Sequence, residues 1–191
     1  MTANTTITLD EFYAAVVADI RAAFPFFVTV EFDREDRAEV PLPALLLEIP
    51  SFDSADDIDP GTGEWACSAR IEARLMFAFR DEQVKLKCRK VATALAAWLR
   101  SRRFQRVGAP AGEKLPTGPA QVLTAERDDF DPTLDKFDVW RVDWLQVMHF
   151  GENVWAEGEF IEQAAFVGFA PEIGSLHENK YTQVQAAGEN Q

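Results

Sequence analysis

Few residues of this chain are suited to chemistry. It has two cysteines and two histidines in 191 residues. Cys67 and Cys88 each fall on an apolar face of the pattern around them, so both are expected as reduced core residues, and no disulfide framework is expected. His149 and His177 have no Cys/His spacing suited to zinc, and His149 falls in or at the end of a strand, where a structural histidine is the commoner case. The phosphate-binding Gly-rich loops and the G-x-S-x-G elbow are absent. Bases are scarce: 19 Lys and Arg against 32 Asp and Glu give a net charge of −13. That balance argues against sequence-specific nucleic-acid binding and against anionic membranes. No apolar run approaches the length of a membrane span, and Met1–Thr6 resembles no secretory leader. The expectation is a soluble protein made in the cytoplasm, with no metal, no cofactor and no catalytic activity.

What the chain does have is periodicity. From Trp65 to Phe79, Trp65, Cys67, Ala69, Ile71, Ala73, Leu75, Phe77 and Phe79 fall on one side. Glu64, Ser68, Arg70, Glu72, Arg74 and Arg80 fall on the other. A period of two predicts a strand with one buried face. Extended, it would reach about 50 Å, so it is expected to bend or to run past its own domain. The period then changes. Val84, Cys88, Val91, Leu95, Trp98 and Leu99 recur at three- and four-residue steps, with Lys85, Lys87, Arg89, Lys90, Arg100, Arg102 and Arg103 between and after them. This predicts an amphipathic helix of about twenty residues, with Asp81 as N-cap.

Before this spine, Thr8-Leu9-Asp10-Glu11 has the form of a capping box, and Leu9, Phe12, Val16, Ile20 and Phe24 mark a helical face that stops at Pro25. Phe26–Phe32 and Pro43–Ile49 read as strands, the second closed by Pro50, and Ser51–Gly63 reads as a loop. After the spine, Ala120–Ala125 and Phe137–Phe150 read as strands; the last is partly apolar on both sides and therefore expected to be central or covered on both sides. From Gly151 onward, Glu152, Glu157, Glu159, Glu162, Glu172, Glu178 and Glu189 face one base, Lys180, and aromatics are dispersed among them. The reading is an α+β domain over 1–150, a mostly antiparallel sheet with two main helices on one face, followed by an extended acidic arm over 151–191.

One acidic group is a candidate for a metal, and a second is weighed for an acid/base pair. Asp53, Asp56, Asp57 and Asp59 miss both registers of an EF-hand loop, so a solvated loop is the better reading. Glu126, Asp128, Asp129, Asp131, Asp135 and Asp138 have no basic or histidine partner placed by sequence.

The order of elements resembles the tail-terminator and tail-completion proteins of long-tailed bacteriophages. The resemblance lies in Leu9–Pro25 followed by the strand at Phe26, in the strand–helix core Ile71–Trp98, and in the closing strand Trp140–Met148. It implies a hexameric ring that caps the tail tube, ends tail polymerisation and offers a surface to head-completion proteins. Genomic DNA would pass through the lumen without specific binding. The place implied is the tail–neck region of a virion assembled in the host cytoplasm. Other neck components, such as a connector stopper or a minor tail protein, are the alternative. A small metal-dependent enzyme would require the Asp53–Asp59 loop to meet His149 or the second acidic group. Ring contacts are expected from the long strand's polar side (Arg70, Glu72, Arg74), from the basic helix (Lys85, Arg89, Arg100, Arg103) and from the arm (Phe166, Phe169, Tyr181).

Overall fold

A computed structural model describes residues 7–34, 39–59, 61–79, 83–110, 112–128, 137–152, 154, 165–167, 180 and 182–184. The chain divides into two compact units, Met1–Ala156 and Glu157–Gln191. The first contains helix α1 (Leu9–Ala23), strands β1 (Thr29–Phe32), β2 (Ala44–Ser54) and β3 (Trp65–Ala78), helix α2 (Val84–Leu99), and strands β4 (Gln121–Arg127) and β5 (Phe137–Phe150). The second contains a short antiparallel pair, β6 (Ala165–Val167) and β7 (Thr182–Val184).

The capping box forms as the spacing predicts. The Glu11 amide donates to Thr8 Oγ1 at 3.2 Å, and the Thr8 amide donates to Glu11 Oε2 at 3.0 Å. Phe12, Ala15, Val16 and Ile20 are the buried stripe of α1. The five-stranded sheet runs in the order β1-β2-β3-β5-β4. Three of its pairings are antiparallel, and β1–β2 is parallel. Both helices cover one face. There Cys67, Ala69, Ile71, Ala73, Leu75 and Phe77 of β3 meet Phe12, Val16 and Ile20 of α1 and Cys88, Ala92, Leu95 and Leu99 of α2, all in one core. Burying a side chain such as Leu75 or Phe77 fully is worth roughly 1.5–3 kcal/mol. A smaller apolar cluster of Val40, Ala44, Leu46, Met76 and Val139 lies on the opposite face. Cys67 and Cys88 are free thiols in the core.

Four expectations are corrected. The long strand does not run past its partners: β3 is the centre of the sheet, paired with β5 from Trp65↔Phe150 to Ala78↔Phe137 and with β2 from Cys67 to Met76. Its length is used inside the subunit. Secondly, β2 continues through Pro50 to Ser54. The register with β3 breaks between Glu48 and Ser51, so the missing proline N–H falls at an irregularity and costs no ladder bond. Only Asp56–Ile58 of the expected loop forms a 3₁₀ turn. Thirdly, β1 begins at Thr29, because the Phe27 amide donates to the Phe24 carbonyl at 3.2 Å and keeps Phe24–Phe27 in a turn. Fourthly, α2 has sixteen residues, and its N-cap position is Gln83, in the left-handed region at φ 54° with no side-chain cap. The expected cap, Asp81, lies outside the described residues.

The first residues of the expected arm belong to the first unit. The Val154 amide donates to the Thr62 carbonyl at 2.9 Å, and the Val154 side chain lies where a Cβ on Gly63 would point.

Candidate interaction surfaces

Alternation sends every second residue of β3 to the face without helices. Arg70, Glu72 and Arg74 point there together, opposite Leu145, Asp143 and Arg141 of β5. Glu48 of β2, Glu126 of β4 and Asp128 just beyond it complete a charged cluster. Arg74 is its hub: Nη1 reaches Glu48 at 2.7 Å, Nη2 reaches Glu72 at 2.7 Å, and Nε reaches Asp128 at 2.9 Å. Arg70 Nη2 donates to Asp143 Oδ2 at 2.7 Å. Arg141 Nη2 donates to Glu126 Oε1 at 2.6 Å, and its Nε lies 3.1 Å from Asp143 Oδ1. The hydrogen bond to Asp143 raises the Arg70 pKa. At Arg74, burial works to lower the pKa, and the bonds to Asp128 and Glu48, with the nearby Glu72, outweigh it and raise it. The Arg70 and Arg74 guanidiniums stay charged, and the cluster ties β2, β3, β4 and β5 together.

The second acidic group of the sequence is thus taken apart by the fold. Glu126 and Asp128 join the charged face, whereas Asp138 pairs with Phe77 in register and is buried on the helix side, its carbonyl 3.8 Å from Cys88 Sγ. Asp129, Asp131 and Asp135 lie outside the described residues. In the first acidic group, Asp56 Oδ1 accepts from Ser54 Oγ at 2.5 Å and Asp59 Oδ1 accepts from the Gly61 amide at 2.8 Å, bonds that close turns. His149 stands in β5 opposite Ala66, half-buried. His177 lies outside the described residues.

The second surface is the outer side of α2. Val84, Cys88, Ala92, Leu95 and Leu99 face the core. Lys85, Leu86, Lys87, Arg89 and Lys90 are exposed, and the helix contains no acid. Lys85, Arg89 and Lys90 have no ion pair among the described residues. Gln83, Leu86, Lys87, Lys90 and Val91 line a cleft of about 490 Å³. The Lys87 ammonium also lies 5.2 Å from the centre of the Phe77 ring.

The expected contact residues therefore separate into groups. Arg70, Glu72 and Arg74 are engaged inside the subunit. Arg103 donates to the Leu115 carbonyl at 3.2 Å and fixes the connection after α2, whereas Arg100 is exposed at the C-cap. Lys85 and Arg89 share the exposed side of α2. Phe166 lies in β6 opposite Gln183, and Phe169 and Tyr181 lie outside the described residues. Sequence reasoning did not single out Lys87 and Lys90 as a pair. Their three-residue spacing, which puts them on one helical side beside Leu86 and Val91, was the available signal.

No family model and no curated protein matches the chain. Among solved structures, one without a functional name resembles 75% of this chain over 94% of its own length, at 11% identity and a TM-score of 0.38. A likeness at that level carries no argument about function.

Proposed function

We propose that the chain is a structural, non-catalytic protein of a long-tailed phage virion. In this reading it forms a ring, hexameric by resemblance, that caps the tail tube, ends tail polymerisation and forms the joining surface for the head-completion proteins. DNA passes through the lumen without being gripped, and the net charge of −13 favours such passage by repelling the phosphate backbone. The observation that carries the reading is the order of elements: α1 ending ahead of β1, the long central β3 leading into α2 within a few residues, and β5 closing the sheet along the whole of β3. Two chemically different outer surfaces support it. A rotationally closed ring needs a head-to-tail contact between unlike faces of identical subunits. Here one face is a self-matched cluster of arginines and carboxylates, and the other is a helix of bases alone.

The native mass tests this. A hexamer of 21.4 kDa chains weighs about 128 kDa, and light scattering on a sized peak at two concentrations detects it. If the chain remains monomeric, purified tail tubes are added and their ends inspected by electron microscopy. Capped ends support the terminator, and rings that ignore tubes but join connectors indicate a stopper. Bare tube ends and no rings defeat the reading.

A further inference from the structure

We infer that the acidic end of the sheet, where β3 begins, packs against the outer side of α2 in a second copy of this chain. The inference rests on the ring reading, which requires copies to meet head to tail.

At that end Phe52, Trp65 and Phe150 form an aromatic group, with ring centres 6.0 to 6.5 Å apart. Two loops are bound beside it. The Ala55 amide donates to the Ala66 carbonyl at 3.0 Å and holds the Asp56–Ile58 turn next to β3, and the bond from Val154 to Thr62 holds the other. Three apolar side chains are left open here: Ile58 is 40% exposed, Trp65 47% and Val154 64%. Large apolar side chains gathered in water, a tryptophan among them, are the usual centre of a protein contact. The charge around them has one sign. Asp56, Asp57, Asp59 and Glu152 are exposed, and the segments that build this end, 51–69 and 142–156, contain no lysine or arginine.

A partner for this end has to be apolar and basic. The outer side of α2 is both. Leu86 is 45% exposed, although the buried side of the helix is already complete without it. Lys85, Arg89 and Lys90 stand near it, the helix has no acid, and these three bases have no ion pair among the described residues. Thr93 and Ala97, also exposed, continue that side with small side chains, which leaves room for a ring such as that of Trp65. The two surfaces cannot meet within one subunit: β3 spans roughly 40 Å from Trp65 to Ala78, and α2 begins beyond its far end. Between copies they can, and a contact of unlike surfaces passes from each subunit to the next, as a closed ring requires. The helix-free face of the sheet is a poorer seat for α2, because its carboxylates are already engaged by Arg70, Arg74 and Arg141.

Two charge reversals in the full-length protein test the contact. One is Asp57→Lys/Glu152→Lys at the sheet end, and the other is Arg89→Glu/Lys90→Glu on α2. All four residues are exposed, and circular dichroism checks that both variants fold. Light scattering over a concentration series gives the self-association constant. Where the native chain associates only on tail tubes, the capped fraction of tube ends replaces it. In each variant alone the two surfaces carry the same sign, and association is expected to fall about tenfold or more. In an equimolar mixture every sheet end can face a helix of opposite sign. Alternating copies are then expected to restore association to within about threefold of native, as a ring with an even number of subunits allows. Leu86→Ser leaves the charges in place and is expected to weaken association as well. Either reversal without effect, no restoration on mixing, or native association in Leu86→Ser overturns the contact. Native rings that cap tubes while the variants behave in any of these ways sink only this contact. A native chain that neither associates nor caps tubes sinks the ring reading and the contact with it.

Discussion

Arg70 and Asp143, 73 residues apart in sequence, are joined at 2.7 Å across the two central strands, and the Asp143 side chain is entirely buried while that of Arg70 is 40% exposed. The pair is unequal: removing Arg70 leaves Asp143 with Arg141 still 3.1 Å away, and Arg70 itself can reach water. Arg74 is more deeply engaged, because it holds Glu48, Glu72 and Asp128 at once, each at under 3 Å. Arg74→Met is therefore expected to cost about 3–5 kcal/mol in urea denaturation, as for a broken buried ion pair. Arg70→Met is expected to cost about 1 kcal/mol, discounted for its exposure. Equal losses would show that Arg74 is not the hub.

A close packing contact makes the second expectation. A Cβ on Gly118 would stand 2.9 Å from Val147 Cβ, and the Gly118 amide donates to the Val147 carbonyl at 2.8 Å. The connection before β4 cannot retreat without losing that bond and the bond between Gln146 Nε2 and the Gly118 carbonyl. Gly118→Ala is expected to lower stability by roughly 1–3 kcal/mol, the usual range for overpacking. A melting temperature equal to the native one would show that this connection yields freely.

Alkaline pH should reveal a buried thiol. Burial pushes Cys67 up to about 11 from an ordinary value near 9. A thiol held neutral in the fold contributes stability that is fully present below pH 9 and is lost as pH rises towards 11. Tyr13, raised first by burial and then by its hydrogen bond to Asp33, adds a loss of the same sign above pH 10. Cys67→Ala should flatten the first part of the decline, between pH 9 and 10, and leave the Tyr13 part. A decline of unchanged slope in the variant would exclude Cys67 as its source. Native Cys67 and Cys88 should also react with a thiol reagent only after unfolding.

The end of the first unit gives a fourth expectation. A chain ended after Ala156 retains the Val154–Thr62 bond and the Val154 side chain over Gly63, and a chain ended after Phe150 has neither. The shorter chain should be less stable by about 1 kcal/mol, the scale of one hydrogen bond with its packing. Identical urea midpoints would show that residues 151–156 add nothing to the fold.

The elements that could be read from the sequence are those whose own residues decide their state. Alternation over Trp65–Phe79 identified β3 because one face must be buried, and Thr8 with Glu11 identified the start of α1 because both caps are local. The errors concern neighbours. Pro50 reads as a stop, and whether it stops a strand depends on whether its edge is paired there; a register break made its missing N–H harmless. Nothing in Thr29–Phe32 says that β1 lies parallel to β2, since a strand's own pattern is indifferent to direction. The polar side of β3 was legible as polar, but its engagement was not: Asp143 and Asp128 come from segments more than fifty residues away. The acidic run Glu126–Asp138 looked like one cluster and is divided between two faces, because its two ends lie in different strands.

The pairing of β3 with β5 also constrains the order of events during synthesis. As the chain emerges from a ribosome, β2 is already present when β3 appears, but the strand that covers the other edge of β3 ends at Phe150. At roughly 5–20 residues per second, the interval is several seconds. During that time the middle of the future sheet is an open edge with an apolar side, and α2, made directly after it, joins α1, already synthesised, in covering that side. The adjacency of β3 and α2 in the chain thus serves the nascent protein as well as the finished one: the strand with the most to hide is followed at once by its shield.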